Sequence, residues 1–326
     1  MDLVTRYKAS QKFLSKSPKT KKDYLRYLKR IEDDFGTMEL SALKAKGARG
    51  KFMDWRDEIA VESGERTGHG HWTMLKTVLN DAKDRTDIDY NPCDGGGIYK
   101  SDRSDIIWPQ PFIDKVWQQC STGLRTAMML ALWTGLREGN IVALLWKAYD
   151  GTHIEVRINK TKRKAGKSRT VGVLVRIKVS EQLKAHLDSL ERVSDFIVTN
   201  REGEPYTESG FRSSWGKAYD RAEIPPIVRD DEEEENYHFH DLRGTAITNL
   251  SRGGATTQEI ATLTGLSLKT VNDILERYLH RDPELSDAAI VKLEAYAKAK
   301  AAAAAALQAV QEVAISDAPA PGEAAS

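Results

Sequence analysis

Apolar residues recur every three or four positions through most of the chain, the pattern of helices that pack on a core by one face. In "SPKTKKDYLRYLKRIEDDFG" this spacing aligns Tyr24, Leu25, Leu28 and Ile31, and Gly36 supplies a stop. "GHGHWTMLKTVLNDAKD" predicts another helix through Trp72, Leu75, Val78 and Leu79. "NPCDGGG" then interrupts the pattern, because Asn, Pro and three glycines favour a linker. Beyond it, Pro111 suits the first turn of a helix in "PQPFIDKVWQQC", and "GLRTAMMLALWTG" reads as a mostly apolar helix ending at Gly135.

The period then changes. "THIEVRIN" and "RTVGVLVRI" alternate apolar and polar residues around "KTKRKAGKS", which predicts a hairpin with a basic tip. Helical spacing returns at roughly 180–191, 208–222, 241–252, 256–264 and 268–278. After about residue 296, "AKAKAAAAAALQAVQEV" predicts an alanine-rich helix, and "APAPGEAAS" has too little apolar content to fold. The expected fold class is mainly α with a small antiparallel β-sheet, in two domains. Residues 1–95 form a helical domain, 96–105 a linker, 106–295 a mixed domain, and 296–326 the alanine-rich helix and tail.

Composition narrows the function classes. The 326 residues are 40% hydrophobic and 30% charged, with no apolar run near the roughly 18–20 residues that span a bilayer. The N-terminus lacks the apolar stretch of a secretion signal, and two cysteines, Cys93 and Cys120, offer no disulfide framework, so a cytoplasmic protein is expected. Neither zinc-ligand spacing nor a glycine-rich nucleotide loop is present, so no metal and no cofactor is expected. The net charge of +1 is uninformative, but its distribution is not. Residues 1–50 carry 13 Lys or Arg against 6 Asp or Glu, whereas 230–235 read "DDEEEE". The basic excess suits either a nucleic-acid contact or a solvated helix face. The acidic run is either a solvated loop or a competitor for DNA at a basic site.

"NYHFHDLRGTAITNL" poses a sharper question. His240 and Arg243 stand at the expected start of a helix, where partial positive charge already accumulates and further cations are unfavourable. A bound anion reverses that sign, since a helix N-terminus, Arg and His together cradle phosphate. Arg137 follows the Gly135 stop in "LWTGLREGNIVALLW", Lys160, Lys162, Lys164 and Lys167 crowd the hairpin, and Tyr278 lies near a helix end in "NDILERYLHRD".

In this order, with "TGLREGN", "FHDLRGTAIT" and "LTGLSLKTVNDILERYL", the chain resembles the tyrosine recombinases, the phage-integrase type of site-specific DNA recombinase. The resemblance spans residues 105–285 by motif and implies a helical core-binding domain ahead of a mixed α/β catalytic domain. It also implies a reaction. The Tyr278 hydroxyl attacks a DNA phosphodiester to give a 3′-phosphotyrosyl enzyme, and a 5′-hydroxyl reverses the step without ATP. Arg137 and Arg243 would hold the phosphate oxygens, and His240 would contact the phosphate or take the tyrosine proton. Lys162, or alternatively Lys160, would protonate the leaving oxygen. Lys160, Lys164, Lys167, Lys21 and Lys22 are candidate DNA contacts. Implied partners are double-stranded attachment sites, a homotetramer passing through a Holliday junction, and accessory DNA-bending proteins, with no membrane.

One position departs from the family. Where a His or Trp usually follows "TG", this chain has Leu266, which has no side-chain donor. Three readings stay open: a slower enzyme, a substitute donor such as Ser267 or His280, or a recombinase relic that binds DNA without efficient cleavage. "TTQEIATLTGLSLKTVNDIL" also resembles a helix-turn-helix, in which Leu266 would be ordinary core and the chain a DNA-binding regulator.

Overall fold

The computed structural model describes residues 3–99, 103, 106–164, 167–228, 234–279 and 283–316, without the side chains of 159–171, 278–279, 284–285 and 305–316. The chain divides into two compact units, one built by the residues up to 102 and the other by most of those from 103 on.

The first unit is helical: α1 (Leu3–Ala9), α2 (Gln11–Leu14), α3 (Pro18–Phe35), α4 (Ala48–Ser63) and α5 (Glu65–Asp84), with a 3₁₀ turn over Leu40–Lys44. Ser17 caps α3 by accepting the Thr20 N–H, and Pro18 opens it, where a missing N–H costs nothing. Leu28 and Ile31 are buried, but Leu25 is exposed. The buried face therefore follows Tyr24, Leu28 and Ile31 and leaves out Leu25, about 100° from Tyr24 on a 3.6-residue helix. Helix α5 buries Trp72, Leu75, Val78 and Leu79 as the spacing predicts.

The stretch expected to begin a linker is fastened to this unit. Arg49 donates to the carbonyls of Pro92 and Asp94 at 2.7 and 2.8 Å, and Trp72 Nε1 donates to Gly95 O at 2.7 Å. Arg56 donates to Gly96 O. A Cβ at Gly96 would lie 2.7 Å from the Trp72 ring, so the glycines let the backbone lie against the indole.

The second unit runs α6 (Gln110–Gln119), α7 (Thr122–Thr134), α8 (Glu138–Val142), β1 (His153–Lys164), β2 (Lys167–Lys178), α9 (Glu181–Asp188), α10 (Glu208–Arg221), β3 (Ile227–Val228), β4 (Glu234–Glu235), α11 (Leu242–Arg252), α12 (Thr257–Thr264), α13 (Leu268–Leu279) and α14 (Pro283–Ser316). Helix α7 buries Leu124, Ala127, Met128, Leu130 and Ala131 and is the unit's central helix, packed against α8, α9 and α11. Strands β1 and β2 pair with each other, and β3 pairs antiparallel with β4, so the unit is mostly helical with two small sheets.

Two boundaries differ from the sequence reading. The strands extend into "KTKRK" and "KS", leaving a shorter connection than the basic composition suggested. The terminal helix starts at Pro283 instead of near residue 296, because strong helix formers continue on both sides of that point and Pro suits a first turn. "APAPGEAAS" lies outside the described residues, as do Asp230–Glu233 of the acidic run. Among the described residues no helix is long and apolar enough to cross a membrane, and no group of three or more His, Cys, Asp or Glu could hold a metal ion.

Candidate active site

Two turns of identical sequence, Thr134-Gly135-Leu136 and Thr264-Gly265-Leu266, frame the site. Each closes a helix, α7 or α12, with a left-handed glycine at φ 61° or 64°. In each the threonine is fully buried, donates to the carbonyl four residues back and accepts the N–H two residues on, at 3.2 Å from Leu136 and 3.4 Å from Leu266. The same local chemistry thus ends both helices and presents their last carbonyls in a fixed direction.

Arg243 joins the two turns. Its side chain comes from the first turn of α11, and the residue is only 7% exposed. Nη1 donates to Gly135 O, and Nη2 points to Thr264 O at 3.5 Å, a weaker contact. Among the described residues no carboxylate lies within ion-pair distance of it. What offsets the charge is the negative end of two helices, since the accepting carbonyls belong to the C-termini of α7 and α12. Burial, and then the nearby Arg137 cation, push the Arg243 guanidinium down to about 9, which still leaves it protonated at neutral pH.

Arg137 is exposed and occupies the N-cap position of α8, where the chain leaves the Gly135 turn in an extended conformation. His240 lies in the 3₁₀ turn Phe239–Asp241 that leads into α11. Its edge is open to solvent, yet surrounding protein lowers its pKa, chiefly by burial. Asp241 acts in the opposite sense, and Arg243, Arg137 and His238 reinforce the lowering. The ring is therefore neutral at neutral pH and able to accept a proton. Arg137, His240 and Arg243, over a hundred residues apart in sequence at the extremes, come close enough to act on one another's charge.

Tyr278 lies in the last turn of α13, which packs on α11 and α12 around Ile247, Ile260 and Val271. Its side chain falls outside the described residues, as do those of Lys160, Lys162, Lys164 and Lys167 on β1 and β2, and all of His280. Leu266 is half-buried against the α11–α13 cluster. Ser267 is committed elsewhere: its hydroxyl shares a 2.7 Å hydrogen bond with Thr270 Oγ1 and accepts the Thr270 N–H at 3.1 Å, capping α13. Lys21 and Lys22 lie on α3 in the first unit, Lys22 exposed and Lys21 half-buried.

Two arginines and a histidine thus stand within electrostatic reach of one another beside two helix C-termini, and comparison with known proteins places the chain in a family. A model of the phage integrase family matches residues 112–284, more than half of the chain. The chain belongs to the phage integrase family. An integrase of Mycobacterium phage FRAT1 is 24% identical over 206 residues, covering 58% of this chain and 59% of that protein. A shufflon-specific DNA recombinase of Escherichia coli is 32% identical over 154 residues, 46% of this chain and 33% of that protein. The chain spans about half the length of the phage relatives it matches. In fold it is similar to a lambda integrase dimer bound to a COC′ core site, with TM-score 0.64, 17% identity and coverage of 83% and 75%. It is also similar to the Tn1549 transposon integrase in complex with transposon right end DNA, with TM-score 0.66, 16% identity and coverage of 90% and 100%.

Sequence reasoning about this integrase-family chain missed the residues that hold the site. "TGL" occurs twice in the sequence, but the carbonyls of Gly135 and Thr264 carry no side-chain signature. The two helices expected of a helix-turn-helix are present as α12 and α13, but the turn between them also forms part of the Arg243 seat.

Proposed function

We propose that this protein is a site-specific DNA recombinase that cuts and rejoins strands through a 3′-phosphotyrosyl intermediate. The observation that carries the reading is Arg243: a buried cation held by two backbone carbonyls, with no carboxylate partner among the described residues and beside a second arginine, is arranged to receive an anion. Arg137 and Arg243 bind the non-bridging oxygens of the scissile phosphate and stabilise the extra charge of its five-coordinate transition state. His240 contacts the same phosphate or accepts the Tyr278 proton. As the Tyr278 oxygen bonds to phosphorus, the bond to the 5′-oxygen breaks, and Lys162 or Lys160 gives that oxygen a proton.

The substrate is duplex DNA bearing attachment sites, with Lys164, Lys167, Lys21 and Lys22 on its backbone. The working assembly is a homotetramer on two such sites, aided by DNA-bending proteins. Helix α14, with Ile290, Val291, Leu293 and Tyr296 exposed, is the element suited to docking on a neighbouring copy. The chain acts in the cytoplasm, where the DNA is.

The test uses a nicked duplex carrying a candidate attachment site. Wild-type protein should form a denaturant-resistant protein–DNA adduct, and Tyr278→Phe should form none. An adduct that persists in the phenylalanine variant overturns the assignment of the nucleophile, and DNA binding with no adduct favours a relic or regulator. Leu266→His should accelerate cleavage by up to about 10²-fold if the phosphate lacks a donor at that position. An unchanged rate means another group already fills it.

A further inference from the structure

The turn that carries His240 and delivers Arg243 is held from outside by a residue to which sequence reading assigned nothing. Arg103 reaches Asp241, the residue that follows His240, with Nη2 to Oδ2 at 2.7 Å and Nε to Oδ1 at 3.4 Å. The same guanidinium donates to Asn236 O at 2.6 Å and to Glu235 Oε1 at 3.1 Å. Asp241 is 5% exposed, and its Oδ2 also accepts the His238 N–H at 2.7 Å. A few residues on, Trp108 continues the grip: its backbone N–H donates to Thr245 Oγ1 at 2.9 Å and its indole N–H to His238 O at 3.0 Å. Arg103 and Trp108 therefore fasten both sides of the His240 turn.

We propose that Arg103 is a positioning residue, which by clamping Asp241 and the Asn236 carbonyl fixes where His240 and Arg243 meet the phosphate. The proposal rests on the recombinase reading for its consequence but not for its geometry. Arg103 is the first residue of the second unit in sequence, and the clamp lies within that unit. It also sets the charge balance at His240, which faces Asp241, Arg243, Arg137 and His238. Asp241 favours the protonated ring, and Arg103 moderates that carboxylate.

Opposite signs follow for the two partners. In Arg103→Gln the Asp241 charge is less compensated, so the His240 pKa rises. In Asp241→Asn it falls, and in the double variant it returns towards wild type. The readout is NMR titration of histidine-labelled full-length protein, with His240 assigned through His240→Gln. Adduct formation on the nicked duplex should slow about 10- to 100-fold in Arg103→Gln and recover in part in Arg103→Lys, which keeps the charge but not the fork. The control Lys184→Gln, which removes a surface pair with Asp188, should move neither reading. A His240 pKa equal in all four Arg103 and Asp241 backgrounds, or a wild-type cleavage rate in Arg103→Gln, overturns the proposal. If wild-type protein forms no adduct at all, the recombinase reading fails, while the titration still decides whether the clamp governs His240.

Discussion

Replacing Arg243 with glutamine is expected to lower strand cleavage by about 10²- to 10³-fold, corresponding to about 2.7–4 kcal/mol of lost transition-state stabilisation. The argument rests on what the substitution spares. Glutamine leaves the backbone of the α7 and α12 turns in place but is shorter and neutral, so the contacts of the guanidinium with the Gly135 and Thr264 carbonyls are lost together with the charge offered to the phosphate. Stability should change little, because desolvation of a buried cation is relieved as its hydrogen bonds are lost. Arg243→Lys separates charge from shape. A single ammonium cannot hold the Gly135 and Thr264 carbonyls while forking onto a phosphate, so it should also cleave slowly despite its charge. Single-turnover adduct formation with urea unfolding of the same samples checks both. A glutamine variant that cleaves within about threefold of wild type would remove Arg243 from the phosphate site.

Arg243 also shows what the sequence could and could not reveal. A phosphate role could be proposed for it because the residue types that bind phosphate are few, and because "FHDLRGTAIT" stands at a helix start where cations are otherwise unfavourable. The helices were legible for a similar reason, since burial of one face imposes a period. What could not be read was how the guanidinium is held. Backbone carbonyls have no residue identity, and Arg103 reaches Asp241 across more than a hundred residues with no motif to join them. Leu25 was placed on the wrong side of α3 because apolar character alone does not fix an angle around a helix when Tyr24 is its neighbour. The glycines after Pro92 suggested freedom, yet one lies against the Trp72 ring, where a side chain would not fit.

The second large effect concerns the other turn. Gly265→Ala should destabilise the second unit by about 2–4 kcal/mol, from two separable sources. The first is conformational: at φ 64° an alanine bears left-handed strain. The second is steric: the new Cβ would stand 2.8 Å from Ile158 Cδ1 and 3.3 Å from Val175 Cγ2, in a region where Ile158 is fully buried. Gly151 isolates the first source, because at φ 89° a Cβ there meets nothing within 4 Å, so Gly151→Ala should cost only about 1–2 kcal/mol. Ile158→Val isolates the second. It costs about 0.5–1.5 kcal/mol alone, but it removes the clashing Cδ1 and should be neutral or stabilising in the Gly265→Ala background. The strain that remains can relax by rotating the peptide between residues 264 and 265, and that peptide carries the Thr264 carbonyl on which Arg243 Nη2 rests. Stability and cleavage should therefore part company. The double variant regains the steric part of its unfolding free energy in urea, while adduct formation stays slow. Recovery of both together would mean that the Thr264 carbonyl has no part in holding Arg243.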